Sequence, residues 1–373
     1  MIYFDNAATG FFKPQSVIDA VSTVVKYLSA NPGRSGHRLS VAGANTVNNA
    51  REVFAQYFNA SFDRVVFTKN CTEALNYAIL GSLKKGGHVI TTIYEHNSVL
   101  RPLTMLNKRG DIELSIVAPT KDMPIEKVIE NAIKPNTYMI VCSSASNVTG
   151  QILPIEKIGE IAFRNKLLFL VDGAQGGGHF PILVKDMHIS FLALACHKGL
   201  YGIMGGGALI LADDVDLTPV ITGGTGSESL NLDQPLCYPD RLESGTLNLP
   251  SIAGALEGAK YIKSHERVFS NHLHSYTEHM IKKLSAIEGV TLYSKPNCLG
   301  IVSFDTPLDS SEFADILNSE YDVAVRGGFH CAPLIHKHLN TLERGLVRAS
   351  LAVQNSTREI DYFVNAVAKI LAR

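Results

Sequence analysis

No apolar run in the 373-residue chain approaches the roughly eighteen residues that a membrane-spanning helix needs, so no bilayer segment is expected. Met1-Ile2-Tyr3-Phe4-Asp5 carries no basic region ahead of an apolar stretch, so no secretory leader is expected either. Excess charge is missing too. The 34 Lys and Arg residues face 35 Asp and Glu, a formal net of -1, which argues against a general binder of nucleic acid or acidic membranes. The six cysteines (Cys71, Cys142, Cys196, Cys237, Cys298, Cys331) form no CxxC pair and no framework spacing. That pattern favours free thiols in a reducing cytoplasm over disulfides or structural zinc. Two nucleotide fingerprints are absent: no GxGxxG follows the first strand candidate, and there is no GxxxxGK[ST]. What is present is 46% apolar against 18% charged residues, ample for a buried core and enough length for two or three domains.

Seven apolar, β-branched runs recur in the first two-thirds: Arg64–Lys69, His88–Thr92, Glu113–Val117, Tyr138–Ser143, Leu167–Val171, Phe191–Ala195 and Gly207–Leu211. Helical periodicity lies between most of them, at Thr72–Leu83, Asn97–Asn107, Ile125–Ile133 and Ile155–Phe163. The spacing of strand starts, roughly 25 residues, is that of a strand plus a crossover helix, and the near-continuous apolar runs suit parallel strands covered on both faces. Residues 196–206 are too short and glycine-rich for a crossover, so Gly207–Leu211 is expected to return antiparallel. The prediction is an α/β fold: a mostly parallel seven-stranded sheet with one reversed strand. A glycine- and proline-rich loop follows at Asp213–Asp240, then helices at about Pro250–His265 and Phe269–Ile287. Strand candidates Gly300–Asp305, Val323–Arg326 and Leu346–Leu351 alternate with helices Ser311–Ser319 and Thr357–Leu371, a smaller α+β domain. Before the sheet, helices are expected at Pro14–Ser29 and Ala44–Tyr57.

Several residues fall where an open α/β sheet binds ligands, at the carboxyl ends of its strands. Lys198, in His197-Lys198-Gly199, is placed for Schiff-base chemistry, although a surface lysine in a turn has the same local sequence. Asp172 ends the preceding strand. A pyridoxal cofactor needs such a carboxylate at its pyridine nitrogen, whereas a lone Asp there would ordinarily cap a helix. Thr68-Lys69-Asn70-Cys71-Thr72-Glu73 opens a helix whose N-terminal N–H groups could hold a phosphate, or simply be capped. His96 follows the second strand and could stack on a flat ring, act in proton transfer, or serve structure alone.

Taken in order, Asn70-Cys71-Thr72-Glu73, His96, Asn147, Asp172-x-x-Gln175, His197-Lys198, Glu243-Ser244-Gly245-Thr246 and Arg348-Ala349-Ser350-Leu351 resemble class V aminotransferase-fold pyridoxal phosphate enzymes. Within them the chain is similar to the cysteine desulfurase/selenocysteine lyase branch, from Tyr3-Phe4-Asp5-Asn6-Ala7-Ala8 to Arg348. The resemblance implies the fold type I architecture, with a large cofactor-binding domain over 14–245 and a small domain made of 1–13 and 246–373. It implies pyridoxal 5'-phosphate as cofactor, Lys198 as its Schiff-base lysine and Asp172 as its pyridinium partner. Gln175 would bond the phenolate oxygen and His96 would stack on the ring. Cys71, Thr72 and His197 would surround the phosphate, with Thr246 supplied by the other subunit of a homodimer. Asn147 and Arg348 would bind an amino-acid substrate, and Arg34-x-x-His37-x-Leu39-Ser40 matches a segment lining the active site.

Arg326-Gly327-Gly328-Phe329-His330-Cys331 resembles the Arg-x-Gly-x-His-Cys motif of the second group of cysteine desulfurases, in which the cysteine is the nucleophile. It implies conversion of L-cysteine or selenocysteine to alanine, with sulfur passing through a Cys331 persulfide to an acceptor protein. Arg326 and His330 would favour the thiolate. Other readings stay open: an aminotransferase, lyase or epimerase that does not use Cys331, or a cofactor-binding protein without turnover. His330, Cys331, His336 and His338 fit no common zinc spacing, so no metal is expected. Cys71 and Cys196 read as packing rather than catalysis. Ala195 stands where relatives carry a hydroxyl, and Phe329 where a second histidine often sits.

Overall fold

The computed structural model describes residues 1–373. A short strand β1 (Ile2–Tyr3) and helices α1 (Gln15–Tyr27) and α2 (Arg38–Tyr57) precede the central sheet. There follow β2 (Val65–Thr68), α3 (Cys71–Gly81), β3 (Gly87–Thr92), α4 (Asn97–Lys108), β4 (Ile112–Val117), α5 (Ile125–Asn131), β5 (Thr137–Ser143), α6 (Ile155–Arg164) and β6 (Leu168–Asp172). With β7 (Phe191–Ala195) and β8 (Gly207–Leu211) they build a seven-stranded sheet of order β2-β8-β7-β6-β5-β3-β4. Only β8 is reversed, antiparallel to both β2 and β7, because the connection from β7 has no room for a crossover helix. Strands β2, β3, β5, β7 and β8 are buried at every position, as helices on both faces require, while edge strand β4 is partly exposed. Separate apolar cores lie on the two faces, one holding Phe54, Phe169, Leu194 and Ile252, the other Leu75, Val89, Leu170 and Leu209. Each such side chain stabilises the fold by about 1.5–3 kcal/mol.

Residues 212–248 form no strand or helix. After them come α7 (Leu249–Leu284), β9 (Thr291–Leu292), β10 (Ile301–Asp305), α8 (Ser310–Tyr321), β11 (Val323–Ala324), α9 (Pro333–His338), β12 (Val347–Ser350) and α10 (Thr357–Leu371). Strands β12, β10 and β9 make a small antiparallel sheet, and β1 pairs in parallel with β11. A third core of Phe4, Phe304, Phe313, Phe363 and Val367 lies behind it. Ser356 and Glu359 start α10 with a reciprocal capping box.

Four local expectations change. The two helices foreseen at 250–265 and 269–287 are one continuous 36-residue helix, about 54 Å long. Its apolar stripe breaks near residue 266 because the helix leaves one core (Ile252, Ile262) for another (Leu273, Met280), not because it ends. Helix α2 starts at Arg38 rather than Ala44, since His37 caps it by accepting from the Ser40 N–H. The strand foreseen at Val323–Arg326 stops at Ala324, leaving Arg326 in an isolated bridge to Arg348. The short helix α9 was not foreseen; its Pro333 sits in the first turn, where the missing N–H costs nothing.

Candidate active site

Adjacent parallel strands β6 and β7 place Asp172 beside Ala193, so Asp172 and Lys198 emerge at the same carboxyl edge. The first turns of α3 and α4 and the loop carrying Arg326 and His330 close around them, enclosing a cavity of about 240 Å³. Asp172 is 5% exposed; its Oδ1 accepts the Ala174 N–H at 2.9 Å and lies 3.5 Å from Cys71 Sγ. Burial pushes the Lys198 amine below its ordinary pKa, while the charge of Asp172 pulls the other way. Such an amine is more readily a nucleophile near neutral pH than an exposed lysine. Burial also pushes the Cys71 thiol well up, with Asp172 adding to the effect, so Cys71 stays a thiol.

At one end of the cavity the Asn70 side chain caps α3 by accepting the Glu73 N–H at 2.9 Å. Thr72 Oγ1 and Ser98 Oγ stand 2.8 Å apart, and His96 Nδ1 accepts the Ser98 N–H at 3.1 Å. Hydroxyls at a helix N-terminus make a ready anion site. β8 approaches this turn so closely that a Cβ on Gly207 would lie 2.5 Å from the Asn70 carbonyl carbon. His197 completes this end; burial, then Lys198, holds its pKa down to about 4, leaving the ring neutral.

On the opposite wall Arg348 is only 1% exposed. Its Nη1 donates to the Asn147 carbonyl at 3.0 Å and its Nη2 to Asp5 Oδ1 at 2.8 Å, while its buried Nε has no partner. Asn147 Nδ2 donates to the His330 carbonyl at 2.7 Å, and Gln175 Nε2 to the Ala7 carbonyl at 3.1 Å. At the end of β5, next to Asp172, lies Glu95, fully buried, accepting from Thr92 Oγ1, Ser143 N and Ser143 Oγ at 2.6, 3.1 and 2.7 Å. Burial outweighs those donors and pushes its carboxyl up to about 7.

The rim is a loop. His330 (φ 49°) and Cys331 (φ 56°) are consecutive left-handed residues, a conformation costing roughly 1–2 kcal/mol per residue. Among the hydrogen bonds that hold it are Asn97 N to the Cys331 carbonyl (2.7 Å), Asn147 to the His330 carbonyl, and Gly328 N to Ser310 Oγ (3.0 Å). Cys331 is exposed, with Arg326 Nη2 3.8 Å from its Sγ. His330 does not supply the second cation foreseen beside it. Its Nε2 faces the Leu346 carbonyl at 3.1 Å, and burial, followed by the charge of Arg348, keeps the ring neutral.

Lys198, Asp172, Gln175, His197, Cys71, Thr72, His96, Asn147, Arg326 and Arg348 thus line one cavity, joined by Ala195 and His330. Cys331 stands at its rim through Arg326. Two residues lie elsewhere. His37 is engaged as the cap of α2, and Thr246 lines a different cavity with Lys69 and Glu73. Ser98, Ser143 and Glu95 were not singled out from sequence. Ser98 had a signal in its place two residues after His96, whereas Ser143 and Glu95 meet only through strand pairing.

A family model for class V aminotransferases matches residues 2–363. A probable cysteine desulfurase of Pyrococcus abyssi is 34% identical, covering 100% of this chain and 94% of the relative. Another, from Methanothermobacter thermautotrophicus, is 32% identical over 99% and 94%. The apo structure of a cysteine desulfurase from Thermococcus onnurineus NA1 superposes with a TM-score of 0.92 at 32% identity, covering 100% of this chain and 94% of that one. The chain belongs to the class V aminotransferase family, and it is an enzyme of the pyridoxal phosphate-dependent type I fold.

The cavity suits that cofactor on its own chemistry. It offers an amine with no hydrogen bond to the protein, a buried carboxylate across from it, hydroxyls at a helix N-terminus, and an orphaned guanidinium N–H.

Proposed function

We propose that the protein is a cysteine desulfurase that converts L-cysteine to L-alanine and carries the sulfur away as a persulfide on Cys331; selenocysteine is a chemically equivalent substrate. The observation that supports this most directly is the exposed Cys331 thiol at the rim of the cavity holding Lys198 and Asp172, with Arg326 reaching from the cavity to its sulfur. The cysteine desulfurases among its relatives point the same way.

Lys198 would hold pyridoxal phosphate covalently, Asp172 its ring nitrogen, Gln175 its phenolate oxygen, and Thr72, His197 and the α3 N-terminus its phosphate. When bound, the cofactor withdraws electrons from the substrate carbons and makes the carbon–sulfur bond breakable. Arg348, with Nε and the remaining Nη hydrogens free, would grip the substrate carboxylate beside Asn147. The Lys198 amine would be the base and acid placed to move protons at the substrate carbons. The Cys331 sulfur, with Arg326 beside it, would attack the substrate sulfur as the thiolate. The C–S pair stays with carbon, which gains a proton to become the alanine methyl, and Cys331 keeps the sulfur as a persulfide. Exposure of Cys331 would leave that sulfur open to an acceptor protein.

We also propose a homodimer in which Thr246 and the segment around His37 serve the partner's site. Leu230 (99% exposed), Leu232 (103%) and Leu236 (78%) in the long loop are apolar surface that a second copy would cover. The division into a large lobe at 14–245 and a small lobe at 1–13 and 246–373, and a cytoplasmic setting, belong to the same proposal. No helix is long and apolar enough to cross a membrane.

The test is a single turnover of L-cysteine by cofactor-loaded protein, measuring alanine and sulfur for wild type and Cys331→Ala. Equal amounts of both from the wild type, lost in the variant, are expected. No alanine from either protein would defeat the assignment.

A further inference from the structure

The peptide immediately before Lys198 is gripped from outside the sheet. The His197 carbonyl receives Gly10 N at 3.0 Å and Lys13 Nζ at 3.4 Å, both from the chain's first thirteen residues. Immediately before Gly10 is Thr9, whose Oγ1 is 2.9 Å from His197 Nδ1 and 3.3 Å from the same carbonyl. The Tyr3 hydroxyl, 3.2 Å from both the Thr9 and the Asp5 carbonyls, ties this turn together. The Thr9 hydroxyl could donate to the carbonyl and accept from an Nδ1–H, or donate to Nδ1 itself. The carbonyl's two lone pairs are already met by Gly10 and Lys13, which leaves Nδ1 as the acceptor for the Thr9 proton. A neutral imidazole that accepts at Nδ1 carries its own proton at Nε2. That Nε2 has no partner in the protein, and His197 lines the active-site cavity.

We infer that Thr9 is a positioning residue: it fixes His197 as the Nε2–H tautomer, so that a neutral imidazole presents an N–H donor to the cofactor's phosphate. Without Thr9 the ring is free to protonate at Nδ1 instead, turning a lone pair toward the phosphate oxygens. The inference rests on the placement of the phosphate beside His197 given above. It also ties the chain's first residues, which pair with the small lobe, to the cofactor end of the large one.

The experiment compares ligands that differ only in the phosphate. Full-length protein freed of cofactor is titrated by absorbance with pyridoxal phosphate and with pyridoxal, as wild type, Thr9→Val and Thr9→Ser. Thr9→Val should weaken pyridoxal phosphate about tenfold, the loss of one charge-assisted hydrogen bond, and leave pyridoxal within about twofold. Thr9→Ser, which keeps the hydroxyl, should restore wild-type behaviour. Nitrogen-15 NMR of the His197 ring should show a shift of protonation from Nε2 toward Nδ1 in Thr9→Val alone. Equal weakening of both ligands would reduce Thr9 to a structural brace and overturn the inference, as would an unchanged tautomer. Wild type that binds pyridoxal as tightly as pyridoxal phosphate would overturn the phosphate placement itself and the inference with it.

Discussion

The floor and the rim of the cavity are built by opposite means. On the floor, Asp172 and Lys198 take their positions from the ends of two paired strands, and the nearby Cys71 is buried with its thiol held protonated. At the rim, Cys331 sits in a left-handed loop, exposed, beside a guanidinium. Two cysteines bordering one cavity therefore have opposite chemistry. The floor must hold a cofactor in one place, and strand ends buried in a packed core do that. The rim must meet a substrate on one side and an acceptor on the other, which calls for exposure.

The largest expected effect separates the two regions directly. Lys198→Ala should abolish the near-visible absorbance of the bound cofactor and lower turnover by about 10,000-fold or more. Cys331→Ala should lose sulfur transfer while keeping that absorbance unchanged. If Cys331→Ala also lost the cofactor band, the rim would be part of the floor and the distinction would fail.

The floor's rigidity can be probed behind it. Arg51 and Glu243 form a pair only 4% exposed on either side, with Arg51 Nη1 2.9 Å from Glu243 Oε1, and the same oxygen accepts the Phe67 N–H of β2 at 2.6 Å. Burial raises the Glu243 pKa and Arg51 opposes this, so the pair is only as good as its geometry. Glu243→Gln leaves Arg51 buried without its counter-charge and should destabilise by about 3–5 kcal/mol in denaturant melts. A loss below about 1 kcal/mol would mean that water reaches the pair and that the sheet edge is softer than its packing indicates.

Glu95 gives the floor a pH signature. Its carboxyl titrates near 7 in the fold against an ordinary value of 4.5, so the folded state favours the protonated form. The resulting stability is complete below about 4.5 and is lost as pH rises toward 7, by about 3 kcal/mol across that window. His179, partly buried and held to about 4, acts with the opposite sign: its share is complete above 6.5 and is lost as pH falls toward 4. Because the two windows overlap with opposite signs, Glu95→Gln should remove the falling share and make stability rise more steeply with pH between about 4.5 and 7 in thermal melts. An unaltered slope in the variant would remove Glu95 from the account.

Much of this was legible in the sequence because sheet ends announce themselves. An apolar run terminated by Asp172, and another followed by His197-Lys198, put a carboxylate and an amine on one edge before any coordinates, and the short stretch 196–206 told that β8 reverses. What was not legible depends on contacts between segments far apart in the chain. Helix α7 looked like two helices because its apolar stripe changes partner midway. His330 looked like a cation because sequence does not display burial, nor the charge of Arg348 nearby. Ser98 has only its place two residues after His96 and Glu95 has no signal at all; their contacts with Thr72 and Ser143 come from other segments.

The smallest expected effect bears on the two cysteines themselves. Cys71 Sγ lies 3.5 Å from Asp172 Oδ1, an oxygen that also accepts the Ala174 N–H at 2.9 Å. A thiol is a weak donor, and removing it leaves the carboxylate still hydrogen-bonded. Cys71→Ala should therefore change cofactor affinity by no more than about 1 kcal/mol, and stability by a similar amount from the lost packing. Because its thiol stays protonated, alkylating reagents should spare Cys71 and label Cys331 in the same protein. Labelling that follows Cys71 instead, or a sharp loss of cofactor in Cys71→Ala, would show that the floor cysteine takes part in the chemistry and that burial is not what divides the two.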